Sequence, residues 1–275
     1  MDWGMRNRLG RMFVERSGNS VMLAVDHGYF MGPTHRLENP RATIAPLAAH
    51  ADALALTRGV LRTSVPPATP TPIILRVSGG VTVLHEDLSN EVVTTPVSEA
   101  VRLNCSAVAL SVFAGSPHEH QTLVGLANLV TQGEEVGMPV MAITAVGKEL
   151  EKRDARYLAL ACRVSAELGA HLVKTYYCEN FSRVVEGCPV PLVVAGGPKL
   201  DSERAALQLA HDAIEQGAKG IDMGRNIWQS DHPVAMLKAL RAVVHDHATV
   251  SEATDVFSAE KARPAEVGTR PKAAA

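Results

Sequence analysis

The chain lacks the features that mark secreted, nucleic-acid-binding and membrane proteins. Its four cysteines form no C-x-x-C pair, which predicts reduced thiols in a cytoplasmic protein. Lys and Arg total 27 against 29 Asp and Glu, and no basic cluster stands out, so we expect no nucleic-acid partner. No apolar run approaches the roughly 20 residues of a membrane span. No apolar segment follows the first residues as it would in a signal peptide, and we expect no membrane partner.

What the sequence does contain is a regular alternation of short apolar runs with longer stretches of helical spacing. The runs are almost continuously apolar, which is typical of parallel strands buried on both faces. We predict eight strands, at Ser20–Val25, Ala53–Thr57, Pro72–Val77, Ala107–Phe113, Pro139–Thr144, His171–Thr175, Pro191–Ala195 and Gly220–Met223. Helical patterns cover Asn39–His50, Val97–Asn104, Pro117–Val136, Arg153–Leu168, Phe181–Gly187, Ser202–Gln216 and Pro233–His245.

This alternation predicts a single α/β domain, a (β/α)8 TIM barrel, because such a barrel needs about 250 residues and the chain has 275. An open doubly wound sheet is the alternative, but its first strand usually leads into a G-x-G-x-x-G loop. Here the first strand leads into Asp26-His27-Gly28. We assign residues 1–246 to the barrel, including a short N-terminal segment. We expect residues 247–275, where apolar periodicity fades, to form a low-complexity, flexible tail.

Lys174 is the most informative candidate for catalysis, because it interrupts an apolar run that predicts the interior of a strand. A buried amine loses hydration, which favours its neutral form, and a neutral amine can attack a carbonyl to form a Schiff base. The alternative is that Lys174 extends to the mouth of the barrel and binds a phosphate group.

Asp26 and His27 end the first strand and are candidates for proton transfer near such a Schiff base. Neighbouring residues of a strand point to opposite faces, so the two side chains need not act together. The alternative is structural: Asp26 forms an ion pair with a barrel Lys or Arg, and His27 is a packed core residue.

Glycines after the seventh and eighth strands predict a phosphate site at Gly196, Gly197 and Gly224, with Arg225 as a charged donor. TIM barrels commonly bind phosphate at these two loops, where backbone N–H groups approach its oxygens. The ends of other strands add Ser78, Arg58 and Lys148 as further candidates for substrate binding. No strand end offers three convincing metal ligands. The stretch His118-Glu119-His120 is not a metal site either, since residues i and i+2 of a helix point to different faces and the two histidines could not bind one ion together.

In combination these motifs resemble the class I, DeoC-type Schiff-base aldolase family, and in particular its archaeal-type fructose-bisphosphate aldolase group. The resemblance rests on Asp26-His27-Gly28, Lys174-Thr175, Gly196-Gly197-Pro198-Lys199 and Met223-Gly224-Arg225-Asn226-Ile227. Within the family, the chain looks most like the autoinducer-2 phosphate thiolase branch. That likeness rests on Asp2-Trp3-Gly4-Met5, Val21–Phe30, Thr57-Arg58-Gly59, Val65–Thr69 and Gln229–Pro233.

The resemblance implies that Lys174 forms a Schiff base with a short phosphorylated ketose and that His27 assists proton transfer. It implies a thiolase that needs no bound cofactor, moves an acetyl unit to coenzyme A as co-substrate and releases dihydroxyacetone phosphate. It also implies a homo-oligomer, since relatives form decamers. The stretch Thr144–Lys148 lacks the tyrosine that fructose-bisphosphate aldolases of this group carry, which argues against sugar-bisphosphate cleavage.

Three alternatives remain open at this point. One is a biosynthetic aldolase that condenses dihydroxyacetone phosphate with an aldehyde, and a requirement for coenzyme A would distinguish the thiolase from it. Another is a metal-dependent aldolase or isomerase, which a chelator would inactivate. The last is a phosphosugar-binding protein without turnover, against which Lys174 and His27 argue, because a binding protein needs no buried nucleophile.

Overall fold

The computed structural model describes residues 1–146 and 153–263, which contain a closed barrel of eight parallel strands. The barrel strands are Ser20–Ala24 (β1), Ala53–Thr57 (β2), Ile73–Arg76 (β3), Ala107–Val112 (β6), Val140–Thr144 (β7), Leu172–Tyr176 (β8), Leu192–Ala195 (β9) and Gly220–Met223 (β10). Around the barrel they follow the order β1, β10, β9, β8, β7, β6, β3, β2. The TIM barrel and its eight predicted strands are therefore confirmed. A two-stranded antiparallel hairpin, Ser78–Gly79 (β4) and Val92–Val93 (β5), follows β3.

The bounds of the helices are Trp3–Met12 (α1), Gly28–Met31 (α2), Pro40–Ile44 (α3), Arg58–Ser64 (α4), Val97–Arg102 (α5), Glu119–Glu135 (α6), Ala155–Glu167 (α7), Phe181–Gly187 (α8), Glu203–Glu215 (α9), Arg225–Trp228 (α10), Pro233–Asp246 (α11) and Val250–Lys261 (α12). Helices α2 to α9 lie between consecutive strands of the chain, whereas α1 precedes the first strand and α10 to α12 follow the last. The helix predicted over Asn39–His50 is shorter than expected: α3 ends at Ile44, and a separate 3-10 turn covers Ala48–His50. No helix among the described residues is long and apolar enough to span a membrane.

Local sequence explains where the helices begin and end. The Ser202 hydroxyl accepts a hydrogen bond from the Ala205 N–H at 3.1 Å, as the N-cap of α9. Asp154 caps α7 in the same way through the Tyr157 N–H at 2.7 Å. Gly169, between α7 and β8, has a φ of 94°, a backbone conformation that favours glycine.

The inside of the barrel is closed at its N-terminal end. Buried side chains there include Met22, Ile74, Met141, Leu172 and Val193, which form one apolar cluster. Met12 of α1 belongs to the same cluster, with Leu9 and Phe13 packed against it. Helix α1 therefore covers the bottom of the barrel, and the carboxyl ends of the strands are its open end.

The expectation of a flexible tail from residue 247 is wrong as far as the structure describes the chain. Helix α12 begins with a capping box in which Thr249 and Glu252 exchange hydrogen bonds. Lys238 of α11 forms an ion pair with Glu260 at 2.6 Å, and α12 buries Ala253 beside α11. The segment is polar in overall composition, but Val250, Ala253 and Phe257 form an apolar stripe that packs against the hydrophobic core. Residues 264–275 lie outside the described residues.

Candidate active site

A cavity of about 920 Å³, including its open mouth, lies at the carboxyl ends of the strands. Its wall carries an unusual density of ionisable groups for the interior of a protein. Those groups are Asp26, His27, Tyr29, Arg76, Glu91, Lys174, Tyr176, Asp222 and Arg225. The cavity brings together seven of the ten predicted site residues, namely Lys174, His27, Asp26, Gly196, Gly197, Gly224 and Arg225.

Lys174 faces the cavity from the middle of β8, and its side chain is only 11% exposed. Its Nζ lies 2.8 Å from Oδ2 of Asp222, a fully buried residue of β10. Burial raises the pKa of Asp222, and the attraction of Lys174 offsets this only in part. The carboxylate is therefore a ready acceptor for a proton from the amine, and the pair can supply a neutral nucleophile.

Asp26 and His27 follow the end of β1 and line the same cavity. Burial alone would raise the pKa of Asp26, but the neighbouring Arg76, His27 and Lys174 lower it overall. Burial, reinforced by nearby cations, lowers the pKa of His27 to about 4. At neutral pH the site thus holds an ionised carboxylate next to a neutral imidazole. The imidazole Nδ1 is 3.7 Å from Oδ1 of Asp26 and has no hydrogen-bond partner among the described residues.

A buried network around Arg76 forms the wall between β3 and the hairpin. The Arg76 guanidinium contacts Glu91 at 2.9 Å and Asp26 at 3.4 Å, and lies 4.4 Å over the ring of Tyr29. The Tyr29 hydroxyl donates to Glu91 at 2.6 Å, and the Ser78 hydroxyl donates to the same carboxylate at 2.7 Å. Every charge in this network has a partner of opposite sign, which is the condition for burying it.

Asn226 ties the two glycine loops to each other. Its Nδ2 donates to the carbonyls of Gly196 at 2.8 Å and Pro198 at 3.1 Å, and its Oδ1 accepts from the Leu200 N–H at 2.9 Å. A Cβ at Gly196 would come within 2.9 Å of the Met223 side chain, so the loop needs glycine there. The loops after β9 and β10 are therefore one unit.

Gly224 and Arg225 complete this unit at the start of α10. A Cβ at Gly224 would approach the carbonyl oxygen of Ala24 and the ring of His27, both at 2.5 Å. Arg225 is half-buried, and its Nε is buried without a hydrogen-bond partner among residues 1–146 and 153–263. An anion in the cavity could satisfy that donor, since guanidinium groups bind phosphate oxygens strongly.

Arg58 and Ser78 do not line this central cavity. They face a neighbouring cavity of about 650 Å³ at the ends of β2 and β3, which we call the β2–β3 cavity. It is lined by Thr57, Arg58, Gly59, Ser78, Gly80 and Thr95, and it shares Tyr29 and Arg76 with the central cavity. Lys148, the remaining predicted residue, lies outside the described residues.

Among the described residues, no group of three or more His, Cys, Asp or Glu side chains could hold a metal ion. His118 contacts Asp87 at 3.5 Å. The four cysteines are buried, and burial raises the pKa of Cys105 and of Cys162 to about 12. None of these groups adds chemistry to the cavity.

Five ionisable residues of the cavity were not among the predicted site residues, namely Tyr29, Arg76, Glu91, Tyr176 and Asp222. Asp222 carried the same signal as Lys174, a charge inside an apolar strand, and could have been found by it. Glu91 and Tyr29 carried no such signal. Glu91 reaches the cavity on the β4–β5 hairpin, which is too short for a recognisable strand pattern.

Comparison with known proteins shows what the chain is similar to. The model of the DeoC/LacD family aldolases matches residues 20–230 of the chain. The 3-hydroxy-5-phosphonooxypentane-2,4-dione thiolase of Escherichia coli K12 is 55% identical over 262 residues, which cover 95% of this chain and 89% of that protein. The protein of the same name from Photorhabdus laumondii is 53% identical over the same coverage.

Solved structures are similar as well. An archaeal fructose 1,6-bisphosphate aldolase superposes with a TM-score of 0.79 at 30% identity, covering 88% of this chain and 99% of the other. A second structure, described as having its catalytic Lys covalently bound to the carbinolamine intermediate of the substrate, matches with the same TM-score, identity and coverage. An aldolase from Slackia heliotrinireducens, at 21% identity and a TM-score of 0.82, shares the fold. On this sequence match and this structure, the chain belongs to the DeoC/LacD family of Schiff-base aldolases.

Proposed function

We propose that the protein is a 3-hydroxy-5-phosphonooxypentane-2,4-dione thiolase that works through a Schiff base on Lys174. The observation that carries the proposal is the position of the Lys174 amine, on the cavity wall and 2.8 Å from the buried carboxylate of Asp222. The relatives of that name, more than 50% identical over nearly the whole chain, support the choice of substrate.

The phosphate of the substrate would bind at the loops after β9 and β10. Backbone N–H groups at Gly196 and Gly197 are free of side chains that would keep the oxygens away, and Arg225 adds a charged donor. From this anchor the five-carbon chain reaches inward, which brings its C4 ketone toward Lys174.

The first step would be attack of the neutral amine on C4. Asp222 accepts the ammonium proton, the N–C4 bond forms, and the C4 oxygen leaves as water after protonation. The product is an iminium ion at C4, directly bonded to C3. This cation is the electron sink of the reaction, and no metal is needed in the proposed mechanism.

Cleavage would then require a thiol, for which we propose coenzyme A. The thiol gives its proton to a base of the cavity, Asp26 or His27, and its sulfur bonds to the C2 carbonyl carbon. The resulting tetrahedral intermediate collapses, the C2–C3 bond breaks, and its electron pair moves to C3 as an enamine. The acetyl thioester leaves, C3 takes up a proton, and water hydrolyses the iminium to release dihydroxyacetone phosphate.

A biosynthetic aldolase of dihydroxyacetone phosphate is the second candidate, favoured by the likeness to fructose-bisphosphate aldolases at 30% identity. Both enzymes would form the same iminium with dihydroxyacetone phosphate. They differ in the electrophile that meets the enamine, an acetyl thioester or an aldehyde.

The test is borohydride trapping with dihydroxyacetone phosphate, followed by an assay for acetyl-coenzyme A from the phosphorylated dione and coenzyme A. We expect a stable adduct on the peptide that contains Lys174 and a coenzyme A-dependent reaction. Lys174→Ala should abolish the adduct and lower kcat/KM by roughly four orders of magnitude or more. Lys238→Ala, which removes a lysine paired with Glu260 outside the barrel, is the matched control and should retain both.

The two readouts separate the candidates. An adduct without acetyl-coenzyme A formation, but with condensation onto an aldehyde, would identify the biosynthetic aldolase. Tight binding of dihydroxyacetone phosphate with no adduct would contradict Schiff-base chemistry altogether and leave a phosphosugar-binding protein.

We also propose that the enzyme is a cytoplasmic homo-oligomer. Val92, Val93, Val101 and Val124 are exposed apolar residues on neighbouring elements, and a second copy could cover them. Light scattering during size-exclusion chromatography tests the assembly. A monomeric mass at micromolar concentration would contradict it.

A further inference from the structure

The order of strands indicates from which side the second substrate must approach. The phosphate loops follow β9 and β10, and in the closed barrel β3 and β6 lie across from these two strands. A substrate whose phosphate is held at the loops and whose ketone reaches Lys174 directs its acetyl end toward the opposite side. The sulfur of a thiol must therefore reach the acetyl carbon from the side of β3 and its neighbours.

The β2–β3 cavity opens on that side. Tyr29 and Arg76 line both this space and the central cavity. The tyrosine ring packs closely on the hairpin: a Cβ at Gly79 would lie 3.3 Å from it. The β2–β3 cavity, which is large enough for a flexible ligand arm, therefore adjoins the central cavity at Tyr29 and Arg76.

The rim of the β2–β3 cavity carries excess positive charge. Arg58 contacts the buried carboxylate of Glu99 at 2.8 Å, and Arg62 contacts the other oxygen of the same carboxylate. Two cations thus share one anion. Their side chains are 44% and 52% exposed, so each keeps N–H donors available to a ligand. Phosphate groups match such donors in charge and geometry.

We propose that the β2–β3 cavity binds the phosphate-bearing thiol co-substrate, with Arg58 and Arg62 holding its phosphates and its arm passing Tyr29 to the acetyl carbon. This inference rests on the proposed thiolase function and assigns a place to the second substrate. It also gives Arg58, which the sequence assigned to the substrate, a role on the co-substrate side of the site.

The charge part of the proposal is tested with Arg58→Gln and Arg62→Gln as separate variants. Each leaves the other arginine on Glu99, so the buried carboxylate keeps a partner. We expect each to raise KM for coenzyme A about three- to tenfold, because a partly exposed charge contributes modestly. KM for the phosphorylated dione and KM for pantetheine, a thiol without phosphates, should stay unchanged. Arg163→Gln removes a comparably exposed arginine paired with Glu167 on α7 and should change nothing.

The space is tested with Gly59→Leu. A Cβ at this position of α4 meets no atom within 4 Å, so leucine extends into open space without disturbing the fold. Here we expect KM to rise for coenzyme A and for pantetheine alike, while borohydride trapping with dihydroxyacetone phosphate stays at the wild-type level.

The outcomes distinguish the two levels of the proposal. Wild-type KM values for coenzyme A in all three variants would show that the thiol binds elsewhere, which overturns this inference and leaves the thiolase function intact. A wild-type enzyme that traps dihydroxyacetone phosphate but forms no acetyl-coenzyme A would remove the proposed function, and the inference with it.

Discussion

Replacing Glu91 by Gln would test whether the buried charge network supports the cavity wall. The Glu91 carboxylate is buried and accepts hydrogen bonds from Tyr29 at 2.6 Å, Ser78 at 2.7 Å and Arg76 at 2.9 and 3.2 Å. Glutamine has nearly the same shape, so the substitution changes charge and donor pattern without leaving a cavity. Arg76 would then keep only Asp26, at 3.4 Å, as a carboxylate partner among the described residues.

The size of the effect follows from the burial of the pair. Removing one partner of a buried ion pair costs about 3–5 kcal/mol, because the remaining charge is left uncompensated. Since Asp26 compensates part of the charge of Arg76, we expect the lower figure, about 3 kcal/mol. For a domain of this size, 1 kcal/mol corresponds to roughly 2–4 °C in Tm. The variant Glu91→Gln should therefore melt roughly 6–12 °C below the wild-type protein.

Thermal unfolding followed by circular dichroism measures this difference, and Glu167→Gln is the matched control. Glu167 forms an ion pair with Arg163 at 2.7 Å, but both side chains are largely exposed. Exposed pairs contribute about 0–1 kcal/mol, so this variant should stay within roughly 4 °C of the wild-type protein. Equal melting temperatures for the two variants would refute the reasoning that burial makes the network around Arg76 costly to break.

Three further predictions concern the other side of the cavity. Gly224→Ala places a methyl group 2.5 Å from the Ala24 carbonyl oxygen and the His27 ring. We therefore expect the free energy of unfolding, measured with urea, to fall by about 1–3 kcal/mol and kcat to be reduced. Wild-type values for both quantities would contradict the close approach. His27 binds its proton only near pH 4 in the folded protein but near 6.5 when unfolded, so stability falls as the pH drops through this window, by about 3 kcal/mol. Urea unfolding at pH 7 and pH 4 should show a correspondingly smaller loss in His27→Gln, and an equal loss would refute the assignment. Asn226→Asp sets a carboxylate against the Gly196 carbonyl, and should raise KM for the phosphorylated dione about tenfold or more, with the KM for coenzyme A as internal control.

The sequence was sufficient to predict the barrel because its signals are local and repeated. Each strand is buried on both faces and is largely apolar along its length, so a run such as Ala107–Val112 can be recognised as a strand from the sequence. Lys174 could be singled out for the same reason, as a charge where the pattern demands an apolar residue. The loops after β9 and β10 could be predicted from their glycines, because they follow the two strands at which TIM barrels commonly bind phosphate.

The parts that the sequence did not predict depend on distant contacts. Glu91 reaches Arg76 because the β4–β5 hairpin brings distant parts of the chain together, and the sequence around residue 91 does not indicate this partner. Arg58 lies at the end of β2 as expected, but Glu99 of α5 holds it away from the central cavity. Helix α12 was misjudged because its stability comes from packing on α11, and its composition alone resembles a solvated tail.

The pair of Lys174 and Asp222 has a consequence for how the enzyme responds to its surroundings. A proton that moves from the amine to the carboxylate stays inside the cavity, so the total charge of the site is the same before and after activation. In the proposed mechanism the nucleophile can therefore form without exchanging a proton with bulk water. The first step then needs only two side chains of the folded chain, one on β8 and one on β10, and no proton acceptor from outside the cavity.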